Sequence, residues 1–550
     1  MPGPINRTAQ NAIVAPQPLA VEEGAKVLMA GGNAIDAAVT CAFVQAIVDP
    51  QMCGIGGYAC LNLHLASPEG GAGEARKVGL DAPALAGANV TPEMWVDKVI
   101  GPNPDGWGYF LQGKVNDAGY TSICTPGWVK AMATILDRWG TISWAAALEP
   151  AARIAEEGFI VGERMGTRWL MRAKYPEACE LLDYIRLNPE ASRIYLKADG
   201  TPYRVGERLR NPDYARTLRH LGERGPDDFY HGELAQRMSA DLAANDAYVT
   251  AGDLAGYQLR TDQLVTGSYR GHTVTSATAP HGGPTLIAIL NILEGYDLAA
   301  LGHNSPEYIY QVGMAMKAAF ADRNRFMADP EFIDVPIEWM MSKERAAEWR
   351  DHIDAGKPIE EAAFTPTGTP DTTHVSVVDR HGNCVALTHS LGASSGVITP
   401  GLGFMYNNSM INFHPLPGHP NSIAPGKGRT TGMAPTLVYQ GDKPLIVLGS
   451  PGATRIITSN VQVILNVLDF GMSVTDAVHT PRFDCQLNTI RCHARIPEYV
   501  CAEVRKKHPI ERFPQSHGGF ALVHAITIDP ATGALAGAAD TGADGMALVV

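Results

Sequence analysis

At Thr372-Thr373-His374 a run of Thr, Pro and Gly, Thr365-Pro-Thr-Gly-Thr-Pro-Asp371, gives way within one residue to the strand-like stretch His374 to Asp379. A threonine that opens a strand behind a flexible linker suits one form of nucleophilic catalysis. If the chain breaks ahead of it, the freed α-amino group becomes the general base for the threonine's own hydroxyl. Such an amine titrates at about 7.7–8.0, so a neutral fraction exists at neutral pH without a separate His or Asp. Taken alone, the pair has a plainer explanation, because Thr favours strands. A second hydroxyl enters through register. His374 to Asp379 and Cys384 to Ser390 flank Arg380-His381-Gly382, a three-residue loop with Gly382 suited to the left-handed position. Counting outward from Asp379 opposite Asn383 sets Thr372 opposite Ser390, and a slip of one residue would undo that pairing.

The elements that must position these residues follow from periodicity. Leu19 to Met29 has helical spacing and stops at Gly31-Gly32. Asn33 then caps a second, mostly buried helix, followed by Pro50. Cys53-Gly-Ile-Gly-Gly57 leads into an alternating strand, Tyr58 to Leu65. The middle, from about Pro126 to Arg350, reads as mainly helical, and Asp351 to Pro370 thins into a short helix and the linker. Thr436 to Tyr439 and Leu445 to Leu448 form a hairpin that runs into Gly449-Ser-Pro-Gly-Ala453 and a helix, Thr454 to Leu468. A strand, a glycine turn and a helix collect free backbone N–H groups, which stabilise an anion.

Composition excludes several classes. Of 550 residues 45% are hydrophobic, with a formal net charge of −13, so neither nucleic acid nor an anionic membrane surface is expected as a partner. The nine cysteines show no CxxC pairing and no zinc-type spacing, so neither a metal nor a cofactor is expected. Asn33 to Val48, the most apolar segment, carries Asp36 and Gln45 and is too short to span a bilayer. With no signal peptide visible, the expected location is the cytoplasm.

Over nearly its whole length the chain resembles the γ-glutamyltransferase (γ-glutamyltranspeptidase) family of N-terminal-nucleophile hydrolases. The stretches that carry the resemblance include Gly31-Gly-Asn-Ala-Ile-Asp-Ala-Ala-Val39, Gly54-Ile-Gly-Gly57, Thr125-Pro-Gly127, Ala321-Asp-Arg323, Thr372-Thr-His374, Gly403-Phe-Met-Tyr-Asn-Asn408, Gly449-Ser-Pro-Gly452 and Pro481-Arg-Phe483. The resemblance implies a four-layer αββα sandwich, self-cleavage between Asp371 and Thr372, and Thr372 as nucleophile. The large piece, 1–371, would end in a processing linker at about 351–371, and the small piece, 372–550, would intertwine with it in one domain. Ser390 corresponds to the family's supporting hydroxyl, and Gly452 with Ala453 to its oxyanion hole. Asp36 and Asp322 read as fold residues.

Recognition departs from the family pattern. Gly79 stands where the family has the Arg that holds the substrate carboxylate, and Thr431-Gly432 replaces a Ser-Ser pair. Ile411 and Asn412 stand where acids meet the substrate ammonium, and Gly392 replaces an Asn. Arg429, Thr431, Asn412, His281 and His389 are the candidates for a rebuilt substrate pocket, with a surface Arg and structural histidines as the plainer alternatives. The expected activity is therefore amide hydrolysis through an acyl-enzyme on Thr372, on a small acidic amide such as oxamate or on an N-acyl compound. A genuine glutathione hydrolase or γ-glutamyltransferase, with acyl transfer, is the alternative, and a non-catalytic binding protein the second. Beyond its small-molecule substrate the protein's partners would be its own two pieces, with pairing of two such units allowed.

Overall fold

The computed structural model describes residues 10–66, 74–103, 108–360, 372–514, 516–517, 519–542 and 544–550, so Asp371 and the linker from residue 361 lie outside the described residues. Two antiparallel sheets face one another. The first runs, in spatial order, Met546–Val549, Ala12–Ala15, Thr373–Val378, Cys384–Ser390, Tyr58–Leu65, Arg76–Ala82 and Arg260–Thr261. The second runs Leu535–Ala539, His524–Ile528, Lys443–Gly449, Thr436–Gln440, His272–Ala277 and Leu264–Tyr269. Asn62 Nδ2 donates across the gap to the Thr275 carbonyl at 2.9 Å, and Ser376 Oγ to the His524 carbonyl at 3.1 Å. Helices Pro18–Met29, Ala34–Val48 and Trp128–Trp139 cover the outer face of the first sheet. Gly283–Leu293 and Arg455–Leu468, with Pro306–Phe326 behind them, cover the second. This is the αββα sandwich that the resemblance implies.

Local chemistry explains the elements nearest the site. Helix Ala34–Val48 begins with a capping box, Asn33 accepting from the Asp36 amide while Asp36 accepts from Asn33. It is buried along almost its whole length because it lies between a sheet and other helices. Strand Tyr58–Leu65 alternates in sequence yet is buried on both faces, one against helices and one against the second sheet. The 373–390 hairpin has the expected register, Thr373 opposite His389 and Val378 opposite Cys384, with Gly382 at φ 84°. The mainly helical reading of the middle misses the Leu264–Tyr269 and His272–Ala277 hairpin, half of whose closing turn is Gly271. That hairpin supplies an edge of the second sheet, so tertiary pairing decides its state.

Candidate active site

Side chains of the first sheet that share a cross-strand row point to one face. Tyr58 pairs with Ser390, and Thr372 continues the register opposite Ser390, donating from Oγ1 to Ser390 Oγ at 3.3 Å. Ser390 Oγ also accepts from the Gly392 amide at 2.8 Å. The next row holds His374, Thr388, Cys60 and Asp81. Both rows face the second sheet, where Gly449 lies so close to the His374 ring that a Cβ there would overlap it.

Opposite them lies the glycine turn. Gly452 has φ 142° and Ala453 φ 54°, and among the described residues neither amide donates to a protein acceptor. Two amides without protein acceptors just ahead of a helix are free to meet an anion, and an alanine at positive φ is strain of the kind that clusters at functional sites. The helix Arg455–Leu468 follows, as expected. Loop 429–434 is packed on this turn, with Gly432 against the Ala453 carbonyl oxygen, where a Cβ would overlap it. A serine hydroxyl at 432 therefore has no room, which is the physical reason for one departure from the family pattern.

The same loop supplies Arg429, whose guanidinium carbon lies 4.4 Å from the ring centroid of Tyr58. Nη1 donates to the Thr430 carbonyl at 3.1 Å, and Asn412, its amide oxygen turned inward, accepts from Nη1 at 2.6 Å and Nε at 3.2 Å. Arg429 is buried, and among the described residues no carboxylate pairs with it. Its neighbour Thr431 contacts His281, Oγ1 to Nδ1 2.7 Å, and accepts from the Met433 amide at 3.0 Å. Arg323 clamps both loops by donating to the carbonyls of His281 and Thr431 at 3.2 and 2.7 Å. Gly79 cannot carry the family's arginine, because a Cβ there would lie 2.5 Å from Leu264 Cγ and 2.7 Å from the Gln263 carbonyl carbon.

Thr372, Ser390, Arg429, Asn412, Thr431 and His281 are thus brought to one side of the sheet, and His389 is not. On the opposite face, His389 Nδ1 accepts from Trp128 Nε1 at 3.0 Å and Nε2 meets Gln45 Oε1 at 2.9 Å. Indole N–H only donates, so the ring is neutral with its proton on Nε2, and burial pushes its pKa down to about 3. His389 is a structural histidine here, which corrects its assignment to the substrate pocket. Gln45, not singled out for the site from sequence, is the hub beneath the threonines. Its amide donates to Gln17 Oε1, Thr373 Oγ1 and the His374 carbonyl at 2.6, 2.9 and 3.3 Å. The available signal was a glutamine inside an otherwise apolar helix. Asp36 accepts from Thr141 and Asp322 pairs with Arg345 at 2.7 Å, as fold residues do.

Comparison with known proteins agrees with this arrangement. The model of the family described as Gamma-glutamyltranspeptidase matches residues 20–550. The chain is 35% identical over 545 residues to the Acylase ACY 1 proenzyme of Pseudomonas sp. (strain SE83), covering 98% of this chain and 93% of the relative. It is 33% identical over 491 residues to a Glutathione hydrolase proenzyme of Pseudomonas sp. (strain A14), covering 86% and 81%. Among solved structures, cephalosporin acylase from Bacillus halodurans superposes with a TM-score of 0.85 at 26% identity, over 100% of this chain and 98% of the other.

Proposed function

We propose that this chain, which belongs to the gamma-glutamyltranspeptidase family and is a self-processing amide hydrolase of the N-terminal-nucleophile type, removes acyl groups that carry a carboxylate. The observation that carries this reading is Arg429, a buried guanidinium with no acidic partner among the described residues, beside the Tyr58, Ser390 and Thr372 row. A buried cation without a counter-charge is costly, and an anionic substrate group supplies the missing charge. Asn412 orients Arg429 without neutralising it. In the same reading the acid that would meet a γ-glutamyl ammonium is absent, since Asn412 is neutral and committed to Arg429.

The reaction begins with the cut before Thr372. The new α-amino group takes the Thr372 hydroxyl proton as Oγ attacks the amide carbonyl, and the developing oxyanion is met by the Gly452 and Ala453 amides. The amine leaves with the proton, and water then releases the acid from the Thr372 ester. Ser390, within 3.3 Å of Thr372 Oγ1, holds the nucleophile's orientation. A relative named an acylase fits this chemistry. The test is a substrate panel on processed enzyme: oxamate and other monoamides of dicarboxylic acids against matched neutral amides and glutathione. The acidic amides should lead in kcat/KM, with N-terminal sequencing of the small piece beginning at Thr372. Glutathione leading by a wide margin would reject the carboxylate-acyl reading.

A further inference from the structure

One row along the inner face from Tyr58 and Ser390, three side chains from separate parts of the chain converge. Cys60 and Asp81 are register partners on adjacent strands, and His281 comes from the loop after His272–Ala277. Their donor atoms all lie within 4.8 Å of one another, and all three residues are buried. His281 Nε2 is 2.9 Å from Asp81 Oδ1, yet the two are not aligned for a hydrogen bond, and among the described residues neither Asp81 oxygen makes one elsewhere. Arg260 Nη1 reaches Asp81 Oδ2 only at 3.9 Å, a long ion pair, while its closer contacts go to Asp329 at 3.1 and 3.0 Å and Glu331 at 2.8 Å, so it compensates Asp81 only in part. A buried carboxylate whose nearest cation is shared and long gains from a closer positive partner.

We propose that Cys60, Asp81 and His281 form a binding site for a single divalent transition metal of the zinc class. The spacing fits. With metal–nitrogen and metal–oxygen bonds of about 2.0–2.2 Å, tetrahedral donors lie about 3.3–3.6 Å apart, so the 2.9 Å pair needs to open by only about half an ångström to take an ion. An off-axis contact poor for a hydrogen bond is the ordinary geometry of neighbouring ligands. The His281 ring is held from behind through Nδ1 by Thr431, as ligating histidines generally are, which leaves Nε2 turned to the cluster. A mixed sulfur, nitrogen and oxygen set selects zinc or cobalt over magnesium or calcium. The charge balances as well: the dication displaces the Cys60 thiol proton to solvent, and thiolate plus carboxylate neutralise it. Because binding releases that proton, affinity rises with pH. Three protein donors leave a coordination position for water or another oxygen ligand. None of this depends on the substrate proposed above.

The experiment uses untagged, processed protein stripped with a chelator, equilibrated with zinc or cobalt(II) and desalted. Equimolar retained zinc is expected, together with a thiolate-to-cobalt charge-transfer band that Cys60→Ser abolishes. The thermal midpoint should rise with zinc in the wild type and not in Cys60→Ser. His281→Gln should weaken binding by roughly 100-fold or more and serves as the second variant if Cys60→Ser does not fold. Wild-type protein that retains no metal overturns the proposal. So does a cobalt band unchanged in Cys60→Ser, which would place the ion elsewhere, for example at Cys492 and Cys501, whose sulfurs are 3.7 Å apart.

Discussion

At the scale of single residues, the site separates charge from shape. Arg429 gives charge, while Tyr58, Asn412 and the Thr430 carbonyl hold it in place. Replacing it by Gln keeps most of the volume and removes the cation. A hydrogen bond to a charged group is worth about 1.5–3 kcal/mol, so Arg429→Gln should lower kcat/KM for a carboxylate-bearing amide roughly 10- to 100-fold. The loss should fall mainly on KM, and a matched neutral amide should change little. Equal losses on both substrates would show that Arg429 only supports the fold. The buried histidines make a second prediction at this scale. His374, His389 and His524 are held neutral by burial, the last two pushed down to about 3. The folded state therefore binds fewer protons than the unfolded chain once pH falls below the ordinary histidine value near 6.5. Stability is fully present above that value and declines below it, by up to about 1.4 kcal/mol per pH unit for each histidine. Thermal midpoints should stay level from about pH 7 to 8 and fall steadily below about 6.5. A level profile down to roughly pH 4 would contradict neutral burial of these rings.

At the scale of elements, the turn between strand Lys443–Gly449 and helix Arg455–Leu468 is the most constrained piece of the site. Ala453 has φ 54°, a value proline cannot adopt, so Ala453→Pro is no clean way to delete its amide. The informative pair is Ala453→Gly and Ala453→Val. Glycine accepts this conformation and should keep turnover close to wild type. Valine resists it, and should cost about 1–3 kcal/mol in stability or displace the turn, with a rate loss of roughly 10²–10³ if an oxyanion donor moves. Val variants with full turnover would detach this turn from catalysis. The hairpin that joins Thr372 to Ser390 was legible in the sequence because its register is local, set by one turn around Gly382. The glycine turn was legible for the same reason. Gln45 was not, because its partners Gln17, Thr373 and His389 come from three other segments. The losses at 79 and 432 could be seen as substitutions, but their causes, Leu264 with Gln263 and the Ala453 carbonyl, appear only when distant loops are packed. The hairpin at residues 264–277 escaped for a related reason, since its strand character comes from pairing with Thr436–Gln440.

At the scale of the whole molecule, the order of strands determines what a cut before Thr372 does. Thr373–Val378 pairs with Ala12–Ala15 on one side, and Cys384–Ser390 pairs with Tyr58–Leu65 on the other. The C-terminal strand Met546–Val549 adds to Ala12–Ala15, so segments from both sides of the cut alternate across the first sheet. The second sheet is mixed as well, residues 264–277 pairing with Thr436–Gln440. Cleavage removes one covalent link but none of these ladders. Pulling the pieces apart would open strand edges in both sheets and expose the apolar layer between them, which includes Val14, Val378, Leu437, Val447 and Ile526. The processed protein should therefore run as two bands under denaturing conditions, for pieces 1–371 and 372–550, and as one species on a native sizing column. Thr372→Ala should give a single band and the same native elution, because the fold does not wait for the cut. Pieces that separated on dilution without denaturant would mean that strands on the two sides of the cut do not share sheets.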